Sequence, residues 1–174
     1  MIFITVGTQK FPFDRLLKAI DKLIDSGDIN EQVYAQIGSC KYLPTNYSYD
    51  RYLDIDTFND CIHRADLVVT HGGTGSIITA MRNHKKIVAV ARLARFGEHV
   101  DNHQLEIIRK FEEMDYIEAC RDISELRTAI RRVREKTYRV YGSNTDAYIK
   151  ELGTYIDDVA ASNERKSRKR NIRR

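Results

Sequence analysis

Short apolar runs rich in β-branched residues alternate with amphipathic stretches along most of this chain, and few folds accept that alternation. Residues 2–6 (Ile-Phe-Ile-Thr-Val) read as a buried strand, followed by a loop from Gly7 to Pro12. A helix is expected over Asp14–Asp25, with Leu16, Leu17, Ile20, Leu23 and Ile24 on one face and Gly27 as its stop. Residues 32–37 read as a second strand ending at Gly38. Residues 39–55 are tyrosine-rich and follow no clear period; only a short strand near Tyr49–Leu53 is expected there. Asp56 or Thr57 is read as the cap of a helix that turns Phe58, Cys61, Ile62 and Ala65 inward. Leu67–Thr70 is the next strand, and a helix follows its loop to about Asn83. Ile87–Ala91 is another buried strand, followed by a polar loop from Arg92 to about Asp101 and a helix to about Glu113.

Tyr116–Ala119 reads as a last short strand. Ser124 starts a helix with Leu126, Ala129, Ile130 and Val133 inward and Arg127, Arg131 and Arg134 outward. A final helix is expected from Ser143 or Asn144, aligning Tyr148, Leu152, Tyr155 and Ile156. Strand and helix in turn predict an α/β domain, a Rossmann-like, doubly wound, mainly parallel sheet. Such sheets bind ligands beyond the carboxyl ends of their strands, so the loops after residues 6, 70 and 91 are the candidate sites.

The 174 residues suit one domain. The net charge of +4 is unevenly spread. Residues 162–174 carry seven basic side chains against Glu164, which leaves residues 1–161 at −2. A domain over 1–160 and a disordered basic tail over 161–174 are therefore expected. The tail is read either as a solubilising end or as an attraction to anionic lipid, at ~1 kcal/mol per basic residue near the surface. Binding of nucleic acid rests on the tail alone and is not expected. Cys40, Cys61 and Cys120 are scattered and odd in number, which suits free thiols in a reducing cytoplasm. The first six residues are not read as a signal peptide, and no apolar run nears the ~20 residues of a membrane span.

The loop His71-Gly72-Gly73-Thr74-Gly75-Ser76 leaves a strand and opens a helix. Its glycines let a ligand approach the backbone, and the N–H groups and dipole of a helix start favour an anion. His71, Thr74 and Ser76 add hydrogen-bonding groups. The plain alternative is a tight turn with a capping serine. The loop is neither of two familiar phosphate loops: no lysine follows Gly75, and Ile78 stands where a dinucleotide fingerprint needs glycine. Gly7-Thr8 is a second, weaker anion site. The third cluster is Glu98-His99-Val100-Asp101-Asn102-His103-Gln104, at the start of a helix. His99 and His103 are spaced for metal binding on a helix, but this is not HExxH and no third ligand stands out, so no metal is expected. A polar cluster that reads sugar hydroxyls is preferred over simple capping.

These three motifs, in this order and spacing, resemble the C-terminal domain of glycosyltransferase family 28. The opening Ile2–Gln9 and the stretch Arg95–Gln104 are most similar to its stand-alone members, the Alg13-like subunits and the bacterial PssE and Cps14G types. The resemblance covers about residues 1–155. It implies the C-terminal half of a GT-B glycosyltransferase, which holds a nucleotide-sugar donor, expected to be a UDP-sugar. No cofactor or metal is implied. It further implies a membrane-associated partner like Alg14, PssD or Cps14F, a lipid-linked acceptor, and a place in capsular or exopolysaccharide synthesis. The chain would then act in the cytoplasm, recruited to the inner face of the cytoplasmic membrane, and can self-associate when isolated. Carried over, His71 and Gly72, Gly73, Thr74, Gly75 and Ser76 face the donor diphosphate, with Gly7 and Thr8 lining the same cleft. Asn102, His103 and Gln104 take the sugar. Thr79 stands where many related transferases carry a ribose-binding glutamate. The general base is left to Glu98, His99 or the partner. A non-catalytic subunit that enhances its partner is the alternative, and a sugar-nucleotide epimerase is a more distant one.

Overall fold

In a computed structural model, residues 1–142 are described. Six strands form one sheet: β1 (Ile2–Thr5), β2 (Val33–Gln36), β3 (Ser48–Asp50), β4 (Leu67–His71), β5 (Lys86–Val90) and β6 (Glu118–Cys120). Their order is β3-β2-β1-β4-β5-β6 and every pairing is parallel. That is the doubly wound Rossmann order, in which the sense of winding reverses between β1 and β4. The helices are α1 (Asp14–Asp25), α2 (Ile55–Arg64), α3 (Thr74–Arg82), α4 (His103–Glu113) and α5 (Leu126–Glu135).

The strands alternate their side chains between two cores, as the pleat demands. Ile2, Ile4, Val69, Val88 and Val90 join Leu16, Leu17 and Ile20 of α1 and Ala129, Ile130 and Val133 of α5. Phe3, Val68, Ile87 and Ala89 face the other way, onto Ile62 of α2, Ile77 and Ala80 of α3, and Ile108 of α4. Both faces of the sheet are thus covered, which explains why the strands read as nearly unbroken apolar runs.

Three local expectations need correction. The cap of α2 is neither Asp56 nor Thr57 but Asp54, whose Oδ1 accepts the Thr57 N–H at 2.8 Å. A capping carboxylate reaches the third helical residue, so the cap lies three places before its partner. The short strand of the tyrosine-rich segment is Ser48–Asp50 rather than Tyr49–Leu53, and the segment before it is fixed by distant carboxylates. Asp21 of α1 is buried and accepts from the Tyr42 hydroxyl (2.6 Å) and the N–H groups of Thr45 and Asn46 (3.1 and 3.0 Å). Asp14 accepts from the N–H groups of Lys41 and Tyr42. The loop after β5 is not simply polar and exposed, because Arg92 and Glu98 within it are buried. The expected helix after Ser143 and the basic tail lie outside the described residues. No helix among the described residues is long and apolar enough to cross a membrane.

Candidate nucleotide-sugar cleft

The reversal between β1 and β4 opens a crevice at the carboxyl ends of these strands. One wall is the turn after β1, with Gly7, Thr8 and Gln9; another is the loop after β4, with His71, Gly73, Gly75 and Ser76. Gln36, Leu53, Ile55 and Phe58 complete a cavity of about 400 Å3, within the range of small-ligand sites. Gly73 occupies the N-cap position of α3 and supplies no side-chain cap. The N–H groups of Thr74, Gly75 and Ser76 therefore open the helix without carbonyl partners inside it, at the positive end of its dipole. A different cavity, at the amino end of β5, is lined by Met81 and by the basic side chains of Lys85, Lys86, Arg134, Lys136 and Arg139. It lies away from the carboxyl ends of the strands, where doubly wound sheets take their ligands, so the crevice at the β1–β4 reversal is the candidate site.

His71 closes β4 and is only 8% exposed. Its Nδ1 lies 3.4 Å from both the Thr5 carbonyl oxygen and the Thr70 hydroxyl. The ring fills space that two glycines leave empty. A Cβ on Gly7 would fall 2.6 Å from Cε1, and one on Gly73 would fall 2.8 Å from the same atom and closer still to Nε2. Gly7 also has φ +76°, a left-handed turn that side chains resist. Burial, and next the Arg92 guanidinium, push the His71 imidazole down to about 4, so it is neutral at pH 7. In the tautomer that carries its proton on Nε2, with Nδ1 accepting from the Thr70 hydroxyl, it can donate to a phosphate oxygen, but it brings no charge to it.

The third cluster splits into buried and exposed groups. Gln104 is buried; its Oε1 accepts the Arg92 N–H at 3.0 Å, and its Cβ lies where a side chain on Gly72 would stand. Asn102 accepts the Ala94 N–H through Oδ1 at 2.9 Å. His103 is exposed, and Asp101 Oδ1 accepts from its ring Nδ1 and, at 3.1 Å, from its backbone N–H. His99 packs between Phe11 and His103, with ring centroids 5.1 and 4.6 Å away. Asp101 thus joins the two histidines into a compact trio whose ligand-type atoms lie within 4.8 Å of one another, a third member that spacing did not reveal.

Glu98 leaves the set of candidate bases. Its carboxylate takes two charge-assisted bonds from Arg15 of α1, both at 2.9 Å, and a third from the Leu93 N–H at 3.0 Å. It is 3% exposed, with both oxygens engaged. Its work is to pin the loop after β5 onto α1. Glu98→Gln should therefore cost about 2 kcal/mol in urea-monitored unfolding, by leaving Arg15 short of its counter-charge. Unchanged stability with lost activity would return Glu98 to chemistry. Thr79 is also accounted for: its hydroxyl donates to the Gly75 carbonyl at 2.9 Å, turned back along α3. Sequence reasoning missed Gln9, Gln36, Leu53, Ile55 and Phe58. The sheet order shows them, since β2 and the chain entering α2 end at the same crevice.

Residues 1–159 match the model of the glycosyltransferase family 28 C-terminal domain. The chain belongs to that family. The subunit ALG13 of UDP-N-acetylglucosamine transferase from Eremothecium gossypii is 40% identical over 97 residues, 55% of this chain and 44% of that protein. Its human counterpart is 30% identical over 129 residues, 68% of this chain and 11% of that protein. The Saccharomyces cerevisiae subunit is 28% identical over 113 residues, 65% of this chain and 47% of that protein. The chain thus spans less than half the length of each of these relatives. Two solved structures share the fold. An NMR structure of ALG13 has a TM-score of 0.57 at 19% identity, covering 87% of this chain and 94% of its own. The glycotransferase of kitacinnamycin has a TM-score of 0.56 at 15% identity, covering 78% and 35%.

Proposed function

We propose that this family 28 domain is the donor-binding subunit of a glycosyltransferase that takes a UDP-sugar. The observation that carries the reading is the pairing of the Gly7-Thr8 turn with the uncapped start of α3 across the β1–β4 reversal. The N–H groups of Thr74, Gly75 and Ser76, which open α3 without partners inside it, lie at the same cavity as that turn, and the apolar wall of Leu53, Ile55 and Phe58 suits a base and ribose. The relatives named as UDP-N-acetylglucosamine transferase subunits make that sugar nucleotide the first to test.

In the reaction, an acceptor hydroxyl oxygen bonds to the anomeric carbon as the bond from that carbon to the diphosphate breaks. UDP leaves with the electron pair. The preorganised N–H groups of Thr74, Gly75 and Ser76, with Thr8 and neutral His71, stabilise the charge that builds on the diphosphate. His103 and Asn102, exposed and adjoining Gln104 in sequence, whose Cβ lies against Gly72, take the sugar.

The hydroxyl proton needs a base. Glu98 is locked by Arg15, and His71 is buried with its basicity suppressed. That favours a base on a second chain, an Alg14-, PssD- or Cps14F-like subunit at the inner face of the cytoplasmic membrane that also holds a lipid-linked acceptor. Capsular or exopolysaccharide assembly is the setting that the bacterial resemblance of Arg95–Gln104 favours. On this chain His99, packed between Phe11 and His103, is the remaining candidate, and a purely supporting role toward that partner is the alternative reading. Co-purification with the partner, followed by a donor screen, separates the two. Sugar transfer that the pair performs and neither chain performs alone, abolished by changes in the glycine loop, is expected. Full transfer by the partner alone would make this chain an accessory.

A further inference from the structure

Among the described residues, the buried side-chain nitrogens and oxygens without a hydrogen-bond partner belong to one residue: Nε and Nη1 of Arg92. Arg92 lies two residues beyond the end of β5 and is fully buried. Its backbone N–H is held by Gln104, its guanidinium lies 5.7 Å from the Phe13 ring centroid, and its Nη2 donates to the Val6 carbonyl. The acid that faces it, Glu98, is bound at both oxygens by Arg15. A cation buried with two of its donors unmet is among the costliest features a fold can keep. Packing alone would be served better by an apolar side chain of this length.

Its place shows what offsets the cost. Val6 immediately precedes Gly7, which lines the cleft, so the guanidinium lies directly behind the turn. It is also close enough to His71 to oppose protonation of that ring. Behind one wall stands a full positive charge; at the facing wall is the positive end of α3.

We propose that Arg92 is the fixed positive charge of the cleft's anion end: a positioning residue, out of contact with the ligand, that holds the Val6–Gly7 turn and makes the cleft favour a nucleoside diphosphate over the uncharged nucleoside. This rests on the reading of the cleft as a nucleotide site. A buried unit charge acts across low-dielectric protein and is little screened by salt, so its field reaches the ligand without contact.

Titration calorimetry of the full chain with UDP and with uridine, on wild type, Arg92→Met and Arg92→Lys, tests it. Arg92→Met should bind UDP on the order of tenfold more weakly, with uridine affinity unchanged and a melting temperature equal to or above that of wild type. Arg92→Lys keeps the charge and should stay within about threefold of wild type for UDP. NMR titration of His71, whose facing titratable or charged groups are Arg92 and His99, should show its midpoint rising in Arg92→Met. Two results would overturn the proposal: equal UDP affinity in Arg92→Met, or a parallel loss of stability and of both affinities in both variants. A wild-type chain that binds neither ligand would instead overturn the nucleotide reading, and this inference with it.

Discussion

Gly73→Ala should lower UDP affinity, and transfer by the assembled enzyme, on the order of 100-fold while leaving the sheet and its two cores intact. The new Cβ would lie 2.8 Å from Cε1 of His71 and well inside contact with Nε2. The ring cannot retreat, since it is buried against Gly7 and the strand carbonyl of Thr5. Either the imidazole or the first turn of α3 must move, and both belong to the proposed diphosphate site. Gly75→Ala is the internal contrast. Nothing lies within 4 Å of a Cβ there, so the loop should keep its shape and any loss would come from the ligand alone. Calorimetry and circular dichroism on the two variants check this. Wild-type affinity in Gly73→Ala would mean that the loop is only a turn.

The second large effect is on acid stability. His71 is neutral in the folded chain and takes a proton only at about 4, whereas the unfolded chain takes it near the ordinary value of 6.5. Below 6.5 the unfolded state binds the extra proton, so stability falls with pH and continues to fall until the folded form also titrates. The difference amounts to about 3 kcal/mol by pH 4. Asp28, Asp54, Asp66, Asp101 and Asp122 are all held below the ordinary value of 3.8 by hydrogen bonds to their neighbours, and because the unfolded chain takes up these protons only near that value, their losses fall below the His71 window. The window from about 6.5 to 4.5 therefore reports on His71. Urea midpoints across it should slope down in wild type and flatten in His71→Gln. A slope unchanged by the substitution would place the acid-sensitive group elsewhere.

What could be read beforehand follows from the range of each interaction. The inward face of α5, Leu126, Ala129, Ile130 and Val133, was visible because helical period and burial coincide. The strands were visible because both of their faces are covered. The segment after Gly38 was opaque because its order comes from Asp14 and Asp21, more than twenty residues away in sequence. Arg92 reads as part of a polar loop and Glu98 as a candidate base, because no local pattern marks a buried charge. The site was legible as three motifs at strand ends. The geometry then separated their members: Gln104 and Glu98 brace the loops, while His71, Gly73, Gly75 and Ser76 line the cleft. The apolar wall from Leu53 to Phe58 was hidden inside what reads as an ordinary helix start.

The central claim is that the β1–β4 reversal forms a diphosphate site. Amide NMR of the chain titrated with UDP tests it most directly. The largest shifts should fall on Gly7, Thr8 and residues 73–76, saturate together, and shrink when uridine replaces UDP. Shifts confined to residues outside the cleft, or none at millimolar UDP, would contradict it.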